Sequence, residues 1–352
     1  MPRIASSRKP TIVARTPCRV DLAGGTLDLW PLYLFHPGAV TVNFAISLLT
    51  TCRITPLPGK QIRLKSLDTR REECFDDLTA LCRAQSFAHP LAARLAMVFA
   101  PEDGFLLETH SESPAGAGIA GSSALMIATT AALARFSGRK LSLEQMRELA
   151  QNVEAQLIKV PTGCQDYYPA LYGGVSAIHL DPDGIQRQAL PVDPEEVEKR
   201  FVLVYTGAPR QSGINNWEVF KRHVDGDKKV ARNFEQIAQI ARAMRHALKA
   251  GDWDEVARLL QQEWKLRKAN YPGISTPGID QLIAVAGRNG GRAAKVCGAG
   301  GGGCVVFMVR EEAREQVSAA LKANGAEVLP FRVARQGLVV SNRSALPAGV
   351  GT

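Results

Sequence analysis

The sequence predicts an α+β protein of two domains, and three observations predict it. Strand-like runs fill the first 66 residues. A glycine-rich turn then leads into a long Ala/Leu/Met-rich helix. In the second half, paired amphipathic helices precede a glycine-rich turn, an apolar strand, a helix and a further strand. Strands and helices segregated in this way pack as α+β units, and 352 residues suffice for two cores.

Composition excludes several classes. No run of 18 apolar residues spans a membrane, and residues 1–10 lack the apolar stretch of a signal peptide, so a cytoplasmic location is expected. Seven cysteines, with no C-x-x-C pair, read as reduced and mostly buried thiols without a zinc site. The net charge of +9 is scattered along helical stretches and not interleaved with aromatics, which argues against nucleic acid as a partner and is compatible with an anionic small substrate.

In chain order, residues 11–14 and 17–22 read as strand, broken by Ala23-Gly24-Gly25 before Thr26-Leu27-Asp28. The double glycine lets Arg19 and Asp28 face one cleft; a solvated arginine and a capping aspartate are the alternatives. Residues 39–49 and 51–56 read as two strands joined near Leu49-Thr50, with another over 61–66 and a helix over 91–99.

The next stretch is Pro114-Ala115-Gly116-Ala117-Gly118-Ile119-Ala120-Gly121-Ser122-Ser123. Its glycines permit positive φ and close approach of a ligand, Ser122 and Ser123 suit a helix start, and the residues up to Phe136 are strong helix formers. Such a turn delivers free N–H groups and the positive end of a helix dipole to one point, which makes an anion site. A dinucleotide fingerprint fails because a polar turn, not a strand, precedes Gly116 and no acid lies near 136–143. A P-loop fails because no lysine follows Gly121. Close packing alone is the competing explanation.

Ser142 then caps a helix reaching about Leu157, with Glu154 near its negative end, where a carboxylate invites a cation or faces solvent. Asp166, in Thr162-Gly163-Cys164-Gln165-Asp166, is a loop carboxylate suited either to accept a hydroxyl proton or to cap. Strands follow over 175–180 and 201–205. The Pro- and acid-rich stretch 191–196 between them divides the chain into domains 1–192 and 193–352.

Residues 228–249 form an amphipathic helix ended by Gly251, and Asp252 caps a second, making a helical hairpin. Five glycines between Gly298 and Gly303 precede the apolar run Val305-Val306-Phe307-Met308-Val309. A strand there, where the dinucleotide fold needs a helix, leaves close backbone approach as their purpose. A helix over 311–323 and a strand near 329–333 complete the unit.

Three motifs in order, Arg15-Thr16-Pro17-Cys18-Arg19 to Asp28, Pro114 to Ala124, and Lys295 to Cys304, resemble the GHMP kinase superfamily of galactokinase, homoserine kinase, mevalonate kinase and phosphomevalonate kinase. Pro161-Thr162-Gly163-Cys164-Gln165-Asp166 before Tyr172-Gly173-Gly174, and the 206–212 turn, look most like the D-glycero-D-manno-heptose 7-phosphate kinase and sugar kinase branch. Where that branch tends to have Gly-Gly-Gly-Thr-Asp-Leu, this chain has Gly24-Gly25-Thr26-Leu27-Asp28-Leu29.

The resemblance implies an N-terminal domain like ribosomal protein S5 domain 2 and a C-terminal GHMP domain with a helical hairpin. It implies a kinase that uses ATP and Mg²⁺ on a sugar or sugar phosphate, at the anomeric hydroxyl. The 114–123 loop would hold ATP, Ser123 and Glu154 the metal, and Asp166 and Arg19 would be catalytic. Asp28, Gly24, Gly25, Thr26, Gly163, Tyr172, Arg210, Gly300 and Gly301 would meet the substrate. A non-sugar alcohol as acceptor, or a ligand sensor without catalysis, are the alternatives. Arg210, Arg267 and Lys268 read either as solvated charges or as ligands of a substrate anion, with solvation preferred.

Overall fold

The computed structural model describes residues 10–209 and 214–342. Among them, eight strands form one sheet: β1 (Ile12–Ala23), β2 (Ala39–Pro56), β3 (Ile62–Ser66), β4 (Arg71–Phe75), β5 (Phe105–Ser111), β6 (Val175–Asp181), β7 (Gly184–Leu190) and, from the far end of the chain, β12 (Val339–Ser341). Four more, β8 (Phe201–Tyr205), β9 (Gly291–Val296), β10 (Cys304–Val309) and β11 (Glu327–Leu329), form a second sheet in the order β11-β8-β10-β9.

The first sheet is built around β2. The expected break near Leu49-Thr50 does not occur, because β1 runs alongside for its whole length and pairs with both halves, its bulges taking up the twist. The first half of β2 also pairs with β6 and its second half with β5, so one long strand serves two groups of neighbours.

The Gly121–Ser137 helix lies across β1 and β2, buried on nearly every side by its alanines, and the Thr16 hydroxyl donates to the Ala124 carbonyl at 2.7 Å. Ser142 and Gln145 form a reciprocal capping box at the start of the Leu143–Ile158 helix, as its sequence predicts.

The chain passes from the first sheet to the second between Leu190 and Phe201. The stretch read as a linker is partly helical there, because Asp193 caps Pro194–Arg200. The hairpin of Lys228–Ala250 and Trp253–Asn270 forms as expected, with Gly251 left-handed between them and Asp252 capping the second helix. Its first helix packs on β2 and its second on β9, which joins the two sheets. Past β11, Val333 makes only a bridge to Ile46 where a longer strand was expected, and β12 then closes the free edge of β1. No helix among the described residues is long and apolar enough to cross a membrane.

Candidate active site

Arg19 organises the site. Alternation along β1 puts it on the same face as Asp21, and it is buried, not solvated. Its Nε and Nη2 donate to Asp166 Oδ1 at 2.9 and 2.7 Å, its Nη1 donates to the Gly118 carbonyl at 2.9 Å and to the Cys297 carbonyl, and its backbone N–H donates to Ile119 O at 2.9 Å. One side chain thus bonds all three glycine-rich or acid-bearing segments that the sequence singles out. Burial by itself lowers the guanidinium pKa, but Asp166 and Asp21 reverse this and hold it above its ordinary value. Both bonds to Asp166 go to one oxygen, which leaves Oδ2 for the cleft.

That cleft, of about 360 Å³, is lined by the 113–123 turn, Asp28, Glu154, Gly163, Asp166, Asn216 and Arg267 among others. At its phosphate-loop end, Gly116 and Gly118 take positive φ as expected. The helix does not start on a serine cap. Ala120 is the N-cap, in the left-handed region, and Ser122 and Ser123 fall inside the first turn. This turns the first-turn N–H groups, which have no intrahelical partner, toward the cleft without a side chain to occupy them.

Ser123 is released to donate to Glu154 Oε2 at 2.9 Å, and the Tyr167 hydroxyl donates to the same oxygen at 2.5 Å. Burial pushes the Glu154 carboxyl up, the two hydroxyl bonds oppose this, and the net direction is upward. Among the described residues no lysine or arginine pairs with it. A buried carboxylate beside a hydroxyl at the mouth of an anion-binding loop fits Mg²⁺, which takes few protein oxygens and leaves the rest of its shell to phosphates and water.

At the other end, Asp28 accepts from the Gln165 backbone N–H at 3.0 Å. It sits where a Cβ on Gly163 would fall 1.9 Å from its Oδ2, so only glycine fits there. Burial first, and then the neighbouring Asp166 charge, raise its pKa to about 6. Gly24 meets the Val40 carbonyl, Gly25 lies over Asp21 and Arg267, and the Thr26 hydroxyl donates to Asn216 Oδ1 at 2.9 Å.

Of the residues expected to meet the substrate, Gly24, Gly25, Tyr172, Gly300 and Gly301 do not line this cleft. The short helix Tyr167–Tyr172 carries Tyr172 away from the cleft, where it stacks on Tyr168 and donates to Glu144 at 3.3 Å. Gly300 and Gly301 do approach backbone closely, but that backbone is the Ile274 and Gly273 carbonyls and not a ligand. Of this motif it is Gly298 and Ala299 that line the cleft, while Gly303 braces the first turn: Cys304 N–H donates to the Ala117 carbonyl at 2.6 Å, and Gly303 lies against the same oxygen. Arg210 lies outside the described residues.

Arg267 is a correction in the other direction. It is buried, donates to Glu263 at 3.3 Å, to Gly298 O at 3.1 Å and to Thr26 at 3.3 Å, and lies 3.6 Å from Asp21. Lys295, fully buried, bonds Asp21 at 3.0 Å and Glu263 at 2.9 Å. Burial alone would raise the Asp21 carboxyl; Lys295, Arg267 and Arg19 together hold it below its usual range. This four-charge cluster, and Asn216 beside it, went unread in the sequence. The i, i+2 relation of Asp21 to Arg19 and the i, i+4 spacing of Glu263 and Arg267 were the available signals. Lys268 is a solvated charge as expected, paired with Asp280 at 2.6 Å.

Residues 85–174 match the family profile of the GHMP kinases N terminal domain, and residues 244–327 that of the GHMP kinases C terminal. The chain belongs to the GHMP kinases. The first profile contains the phosphate loop, Glu154 and Asp166; the second contains Glu263, Arg267, Lys295 and the second glycine turn. This GHMP kinase is 26% identical over 339 residues to the D-glycero-alpha-D-manno-heptose 7-phosphate kinase of Campylobacter jejuni, covering 93% of its own length and 98% of the relative's.

Two solved structures share its fold. A D-glycero-D-manno-heptose 1-phosphate kinase from Bacteriodes thetaiotaomicron has a TM-score of 0.75 at 23% identity, covering 95% of this chain and 100% of that one. The galactokinase of Lactococcus lactis, complexed with galactose, has a TM-score of 0.81 at 19% identity, covering 95% and 96%.

Proposed function

We propose that this GHMP kinase transfers the γ-phosphoryl group of ATP to a hydroxyl of a sugar or sugar phosphate, the anomeric hydroxyl by preference. The observation that carries the reading is the set of Arg19 bonds, which fixes an aspartate beside a phosphate-type loop. Phosphoryl transfer requires positioning and neutralisation of charge more than covalent help from the protein. The amides of the 116–123 turn and the helix N-terminus receive phosphate oxygens. Arg19 adds a positive charge beside them and orients Asp166, whose Oδ2 accepts the proton of the acceptor hydroxyl or aligns it. Ser123 and Glu154 would hold Mg²⁺, which when bound supplies the positive charge that Glu154 lacks and further neutralises phosphate. Asp28, Thr26, Asn216 and Gln165 give the acceptor end alternating donors and acceptors, as a polyol requires. The heptose 7-phosphate named for the Campylobacter relative supports a sugar phosphate in the first panel of acceptors.

The test is ADP release from MgATP against free sugars, sugar phosphates, uronic acids and mevalonate. A sugar or sugar phosphate is expected to give the signal; a response to mevalonate alone overturns the sugar reading, and silence throughout favours a sensor. Asp166→Asn should lower kcat by ~10²–10⁴ with little change in the KM for ATP. Equal losses in both would remove Asp166 from its catalytic role.

A further inference from the structure

A second cleft, of about 580 Å³, lies where the start of the Trp253–Asn270 helix meets the turn between the Pro277–Arg288 helix and β9. It shares no lining residue with the first. Four arginines line it, Arg258, Arg288, Arg292 and Arg310, against a single acid, Asp254. Arg292 binds Asp254 at 2.5 Å, and Arg258 binds Glu255 of its own helix at 2.6 and 2.5 Å. Arg288 and Arg310 are exposed and have no ion pair among the described residues. Glu311, next to Arg310, lies 3.9 Å from Lys199 instead. The floor is glycine: a Cβ on Gly287 would meet nothing within 4 Å, and Gly290 has a φ of +102°.

Four guanidiniums facing one space repel one another, and the acids at hand offset only two of them. An anion restores the balance, and the planar fork of each guanidinium matches phosphate oxygens. The volume suits a small molecule. We propose that this cleft binds a phosphorylated small molecule carrying at least two negative charges, separately from the phosphoryl donor. Its position matters for the site already described. The same helix carries Arg258 at the cleft and Glu263 and Arg267 at the active site, and β9 runs from Gly291 and Arg292 to Lys295. A ligand there rests on two of the three elements that hold the buried charge cluster, β1 being the third.

Inorganic pyrophosphate is the probe, titrated calorimetrically into the full chain and into Arg288→Gln/Arg310→Gln. The phosphate loop can also take pyrophosphate, so the comparison of the two isotherms is decisive. One binding step should weaken by at least ~10-fold in the variant, the worth of a lost charge-assisted hydrogen bond, while the Kd for ATP, titrated in the same way, stays unchanged. Superimposable isotherms overturn the proposal. So does a matching rise in the Kd for ATP, which would make the two clefts one site. Binding is read without turnover, so the outcome does not depend on which acceptor the kinase uses.

Discussion

At the scale of single residues, the active site holds groups in states that water would not give them. Asp28 is the clearest case. Its carboxyl titrates at about 6 in place of 3.8, so the folded protein favours the protonated form. The stability this contributes is complete below the ordinary carboxylate pKa and is lost as pH rises through 6. Asp28→Asn should therefore stabilise the protein in urea at pH 7.5 by on the order of 2–3 kcal/mol, a gain that shrinks toward zero near pH 4, while the KM for the acceptor rises. A gain over the parent no larger at pH 7.5 than at pH 4 would show that Asp28 is not a carboxylate whose ionisation opposes folding. Arg19, Asp28, Glu154 and Asp166 were legible in the sequence because each sits beside a glycine turn or a helix end that restricts where it can point. Arg267 was not, since a charge is buried only if distant residues neutralise it, and Asp21 and Lys295 are far away along the chain.

At the scale of elements, the two glycine turns act on each other. The first presents its amides to the cleft; the second buttresses it from behind through Gly303 and Cys304. Gly303 has a φ of +78°, and a Cβ on it would stand 2.6 Å from the Ala117 carbonyl, a backbone atom with nowhere to retreat. Gly303→Ala should cost on the order of 1–3 kcal/mol of stability and raise the KM for ATP more than that for the acceptor. Equal rises, or none, would mean that the second turn does not shape the first. Periodicity and caps made the capped amphipathic helices readable, as at Ser142 and Asp252, while those over Leu78–Arg83, Tyr167–Tyr172, Pro194–Arg200 and Pro277–Arg288 were not read. The glycines announced close approach but not its partner, which is why Gly300 and Gly301 were assigned to substrate and proved to rest on the Tyr271–Ile274 turn. Tyr172 was misplaced because six helical residues after Asp166 turn it out of the cleft.

At the scale of the whole molecule, the Asp21, Glu263, Arg267 and Lys295 cluster is where the first sheet, the second sheet and the helical hairpin meet. Removing one member strands the others without water. Lys295→Met should destabilise the fold by about 3–5 kcal/mol, measured as a lowered urea midpoint; an unchanged midpoint would show that the cluster is not needed to join the halves. The two-domain α+β class was readable from the order of strands and helices, but the return of β12 to β1 was not, because three residues of ordinary composition carry no long-range signal. That return has a consequence for the life of the chain before it is a kinase. The strand bearing Arg19 and Asp21 is made long before the strand that covers its open edge. At ~5–20 residues per second on the ribosome, that edge waits roughly 20–60 s for its partner. Through that interval an apolar strand stands ready to pair with any neighbouring nascent chain, so the demand for chaperones falls during synthesis and not after it.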